Sequence, residues 1–96
     1  MMIKDVLITK LDVMEAPGGG VMHAMKETSI GYGGFGEAYF SQIDSGAIKA
    51  WKRHREMTLN LVVPVGKIRF VIYDDRLDSR SFGKFQEIIL LIESLG

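Results

Sequence analysis

The stretch MTLNLVVPVGKIRFVIYDDRLDSRSFGKFQEIIL, residues 57–90, decides the fold class. Residues 57–63 are apolar and rich in β-branched side chains, and Pro64 and Gly66 close the run. A short apolar run ended by turn residues predicts a strand. Residues 67–73 alternate with a period of two, placing Ile68, Phe70 and Ile72 on one face and Lys67, Arg69, Val71 and Tyr73 on the other. A polar loop follows over residues 74–81, where Asp74, Asp75 and Arg76 are the kind of residues that hydrogen-bond within a surface turn. Residues 85–90 supply one more strand, with a short helix over residues 86–95 as the competing reading.

Toward the N-terminus the pattern repeats. Residues 47–54 read as a strand, preceded by the turn signal Asp44-Ser45-Gly46. Residues 37–43 read as another, with Ala38, Phe40 and Gln42 on one face and Tyr39, Ser41 and Ile43 on the other. Gly31, Gly33, Gly34 and Gly36 form a glycine-rich loop that lacks the dinucleotide-binding spacing before a helix. Residues 21–25 and 3–12 give two further short strands separated by the turn Pro17-Gly18-Gly19-Gly20. Short strands about 8 to 12 residues apart, with turn residues between them, predict an all-β sandwich or barrel. With no linker or repeat to divide it, the chain reads as a single domain, residues 1–96.

Twelve basic and twelve acidic residues give a net charge of zero, so nothing in the overall balance points to nucleic acid, and any anion site must be local. The absence of cysteine removes disulfides, thiolate metal sites and cysteine nucleophiles. No apolar run is long enough to span a membrane, and Lys4 and Asp5 interrupt what would be the apolar centre of an export signal. A cytoplasmic protein is the expectation.

Residues 46–85 resemble the dTDP-4-dehydrorhamnose 3,5-epimerases and the related sugar-nucleotide 3,4-ketoisomerases. Lys49-Ala50-Trp51-Lys52 stands where that family has Arg-Gly-x-His, and Val65-Gly66-Lys67 matches its glycine turn. Tyr73-Asp74-Asp75-Arg76 matches its Asp-x-Arg loop, and Phe82-Gly83-Lys84-Phe85 its Phe-Gly-Lys-aromatic segment. The last three agree in spacing without gaps. The resemblance implies a cupin-type jelly roll, antiparallel and incomplete in one chain, with a 4-keto-6-deoxyhexose nucleotide as substrate and proton abstraction beside the ketone as the reaction. The family's later strands, which carry a catalytic tyrosine and the histidine's aspartate partner, have no counterpart here. The resemblance therefore covers the first two-thirds of the fold.

The departures shape the candidate site. Lys52 takes the position of the family's catalytic histidine, and a lysine side chain titrates near 10.4 unless perturbed, too high for an efficient base. His54 lies two residues on, sharing a face with Lys52 if residues 47–54 form a strand. His54 and Lys52 are accordingly the expected catalytic pair, with His54 as base and Lys52 as the cation that stabilises an enolate. Lys49, Trp51 and Arg53 are the expected binding residues for a diphosphate and its nucleoside, joined by Glu37 and Tyr39 where the family lines its pocket. The same basic run also reads as a solvated strand edge whose cations discourage edge pairing. Lys67 and Arg69 read as the wet side of an amphipathic strand, and His23, Phe35 and Phe40 as structural.

A cupin metal site needs several converging histidines and a carboxylate. Only His54 falls at such a position, so no metal and no other cofactor is expected. Because an incomplete jelly roll leaves edges and an apolar face uncovered, a homodimer exchanging residues 3–11 is expected. The function expected from these readings is a sugar-nucleotide epimerase or isomerase. A non-catalytic sugar-nucleotide-binding cupin and an oligomeric interaction domain stand as alternatives.

Overall fold

The computed structural model describes residues 2–91. All of its regular structure is β: β1 (Val13–Met14), β2 (Val21–Met22), β3 (Lys67–Tyr73) and β4 (Phe85–Leu91). These pair as two antiparallel two-stranded sheets, β1 with β2 and β3 with β4. The chain divides into two compact units, one formed by Met1–Ala24 with Leu61–Gly96 and the other by Met25–Asn60. Both sheets belong to the first unit.

The β3–β4 hairpin follows directly from the alternation in the sequence. Its register sets Ile68 opposite Leu90, Phe70 opposite Ile88 and Ile72 opposite Gln86, and these residues form the less exposed face. On the other face Tyr73 opposes Phe85 with ring centroids 4.7 Å apart. Arg69 reaches diagonally to Glu87 there, donating from Nε and Nη2 to the two carboxylate oxygens, each at 2.7 Å. The pair raises the Arg69 pKa and lowers that of Glu87, in each case chiefly through the hydrogen bond between them.

The connection between β3 and β4 is closed by Asp74, whose backbone N donates to Lys84 O at 3.0 Å and whose O accepts from Gly83 N at 2.8 Å. Gly83 has φ +79°, a conformation that L side chains rarely adopt, so glycine is required where the chain turns into β4. In the first sheet, the turn between β1 and β2 carries a hydrogen bond from Gly19 N to Ala16 O at 3.0 Å.

Several expected strands are not formed. Residues 37–43, 47–54 and 57–63 carry no sheet pairing, and residues 3–12 lie outside β1. The second expected strand shrinks from residues 21–25 to Val21–Met22. The reason is that β-propensity measures fit to a neighbouring strand rather than a backbone preference, and these segments find no partner to complete a ladder. The expected turn at Asp44 is formed, with Ala47 N donating to Asp44 O at 2.9 Å. The helical reading of residues 86–95 is corrected over its first part, since Phe85–Leu91 is strand; the remainder lies outside the described residues.

Burial is sparse. Among the described residues, Ile3 at 4% exposure is the buried apolar side chain, and the other buried side chains are polar: Asp74, Ser81 and Gln86. Among the described residues no helix is long and apolar enough to cross a membrane.

Candidate functional site

The best-built constellation lies at the turn end of the β3–β4 hairpin, around Asp74. This carboxylate is 3% exposed and accepts five hydrogen bonds, from Arg76, Ser79 and Ser81. Oδ1 accepts from Arg76 N at 3.1 Å and Arg76 Nε at 2.9 Å. Oδ2 accepts from Arg76 Nη2 at 3.0 Å, from Ser79 Oγ at 2.7 Å and from Ser81 Oγ. A buried charge is tolerated only when paired and hydrogen-bonded, and both conditions hold. The hydrogen bonds from Arg76, then those from Ser79 and Ser81, hold the Asp74 pKa far below the usual carboxylate range. The same contacts, with a further hydrogen bond to Asp5, raise that of Arg76.

The cluster fastens the N-terminal segment to the hairpin. Arg76 donates from Nη1 to Asp5 Oδ2 at 2.9 Å and from Nη2 to Lys4 O at 2.8 Å. Lys4 N donates to Ser81 Oγ at 3.0 Å, and Ile3 N to Gln86 Oε1 at 2.8 Å. Asp5 sits at φ +72°, within the left-handed region that aspartate tolerates better than most side chains, in a turn with Val6 N donating to Ile3 O at 3.2 Å. The sequence pointed to internal hydrogen bonding in this loop, which the structure shows, but gave no indication that Asp74 is buried or that residues 3–5 are its partners. One signal was present in Gln86, a polar residue at a position facing Ile72 on the apolar side of the hairpin. Such a residue demands a partner.

The residues expected to carry binding and catalysis all lie in the second unit, Met25–Asn60. Lys49 Nζ donates to Ser41 Oγ and to Gln42 O, each at 3.0 Å, which joins the start of the basic run to the segment that follows Glu37 and Tyr39. Trp51 is 65% exposed, and Glu37, Tyr39, Lys52, Arg53 and His54 are exposed as well. Because residues 47–54 are not a strand, the two-residue alternation that set Lys52 beside His54 on one face does not apply. Among the described residues no group of three or more His, Cys, Asp or Glu side chains is placed to hold a metal ion.

A probable low-salt glycan biosynthesis epimerase of Haloferax volcanii is 37% identical to the chain over 54 residues. The matched segment is 55% of this chain and 35% of that protein, so the chain spans about a third of the length of the curated relative it matches. No family model matches, and no solved structure matches. This partial likeness supports an epimerase-like relationship to sugar biosynthesis.

Proposed function

We propose that the chain is an epimerase-like or isomerase-like protein of deoxysugar biosynthesis that takes a dTDP-4-keto-6-deoxyhexose. The observation that carries this reading is the 37% identity over 54 residues to a protein described as a glycan biosynthesis epimerase. The fixed points between Lys49 and Phe85 supply the finer assignment to nucleotide-linked keto sugars. In this reading residues 1–96 form one cupin-like domain of the jelly-roll kind, working in the cytoplasm and without a metal.

Lys49 and Arg53 hold the diphosphate, Trp51 offers an exposed indole to the base, and Glu37 and Tyr39 meet the sugar. Lys49 exchanges its hydrogen bonds to Ser41 and Gln42 for phosphate oxygens, a change that an exposed ammonium on a flexible stem makes at little cost. Titration calorimetry with a dTDP-hexose tests the assignment. Lys49→Ala is expected to weaken binding about tenfold, the worth of one charge-assisted hydrogen bond. The absence of both heat and a change in Trp51 fluorescence in the unsubstituted protein refutes it. One observation favours a second reading, a binding protein without turnover: Lys52 stands where the related enzymes have their catalytic histidine.

The protein is proposed to act as a homodimer. Support comes from the many apolar side chains left exposed on the hairpin, including Val71, Phe85, Ile89 and Leu91. A two-stranded sheet is marginal by itself and gains stability when a further layer covers it. Sedimentation velocity at micromolar concentration is expected to show a species of twice the chain mass, and a single monomeric boundary rejects the proposal.

A further inference from the structure

Within the second unit, an open depression of about 350 Å³ is lined by Gly33, Gly34, Phe35 and Gly36 of the glycine-rich loop and by Glu56, Met57, Thr58 and Asn60. From this geometry we infer that the depression is a subsite for a neutral monosaccharide ring, stacked on Phe35 and hydrogen-bonded by Glu56, Thr58 and Asn60. The inference rests on the sugar-nucleotide reading for the rest of the ligand and sets the sugar ring apart from the diphosphate.

The depression lies near the lower end of the range for small-molecule clefts, roughly 300–1,000 Å³, which suits one sugar ring better than a whole nucleotide sugar. Phe35 is 78% exposed, although a lone phenylalanine gains by burial. It stands between glycines whose added Cβ atoms would meet nothing within 4 Å, so the ring is flanked by bare backbone and open on its faces. Gly34 has φ +95°, which reserves the position beside Phe35 for glycine. A pyranose presents just such a ring with an apolar C–H face, and the phenyl ring complements it.

The segment 56–60 supplies an acceptor at Glu56, a donor and acceptor at Thr58 and a carboxamide with both at Asn60, a set matched to neighbouring hydroxyls that each donate and accept. Asn60 Nδ2 donates to Gly31 O at 3.3 Å, which orients the carboxamide and ties this segment to the glycine loop. The one charged group in the lining, Glu56, repels phosphate. The ligand is therefore a neutral ring, and the diphosphate must lie elsewhere.

The test is saturation-transfer NMR with two probes, dTDP-glucose and a methyl 6-deoxyhexopyranoside, on the full chain and on Phe35→Ala and Asn60→Ala. Strong saturation of the sugar-ring protons is expected with each probe, with affinity for the glycoside falling about fivefold or more in each variant. Because Phe35 is exposed, its removal is not expected to unfold the chain, and circular dichroism of the variant checks this. Saturation confined to the thymidine protons, or glycoside binding unchanged in Phe35→Ala, overturns the subsite while leaving the nucleotide reading standing. Glycoside binding that depends on Phe35, with no saturation of the thymidine protons of dTDP-glucose, supports the subsite and removes the nucleotide reading.

Discussion

Asp74→Asn will lower the thermal unfolding temperature by roughly 5 °C or more at pH 7, the shift expected when a small domain loses a buried hydrogen-bonded network. The substitution is nearly isosteric, yet it places an amide nitrogen where the carboxylate accepts from Arg76, Ser79 or Ser81. A donor then faces a donor. Ser81 and Arg76 are the same groups that hold Lys4 and Asp5, so the loss spreads to the N-terminal segment and uncovers Ile3.

The pH dependence has a definite sign. The folded carboxylate has a depressed pKa, so its contribution is complete above the unfolded value of about 3.9 and fades as pH falls from there toward the lower folded value. Melting curves between pH 2 and pH 7 should show the unsubstituted protein level above about pH 5 and falling steadily below about pH 4. Asp74→Asn should start lower and slope less. Glu87, also depressed, adds an acid-side slope common to both proteins. Parallel curves for the two proteins would show that the cluster does not couple to folding.

The second large effect concerns catalysis. If the proposed chemistry operates, His54→Ala will slow solvent deuterium incorporation at C3 and C5 of a dTDP-4-keto-6-deoxyhexose by about a hundredfold or more, the usual worth of a positioned general base. Lys52→Ala will leave part of the exchange intact, because a cation that stabilises an enolate lowers the barrier without taking the proton. Both side chains are exposed and neither lies in a strand. Exchange undiminished in His54→Ala removes His54 from the mechanism. No exchange above background in the unsubstituted protein moves the chain to the binding-protein reading.

The β3–β4 hairpin was legible because its alternation is regular on both strands and the partner follows within the same chain. Ile68, Phe70 and Ile72 meet Leu90, Ile88 and Gln86 after a connection that Asp74 and Gly83 can close. Residues 57–63 are as apolar and as β-branched, yet form no strand, since composition describes what a segment can pair with and not whether a partner is supplied. The faces assigned to residues 37–43 and 47–54 failed for that reason, and with them the shared face of Lys52 and His54. What the local pattern could not express was a contact at long range. Nothing near Lys4 announces Ser81, and nothing near Ile3 announces Gln86.

That separation bears on the order of folding. The bond from Ile3 N to Gln86 Oε1 joins residues 83 positions apart, whereas the hairpin closes over a connection of a few residues. The entropy of ring closure grows with the length enclosed, so the hairpin forms first and offers its turn as a surface on which the N-terminal segment later docks. During synthesis, Met2 to Asp5 leave the ribosome early but must wait for Gln86 before their backbone groups find these partners. Until then Ile3 remains in water, and a chaperone or protease meets residues 2–5 before their binding place exists.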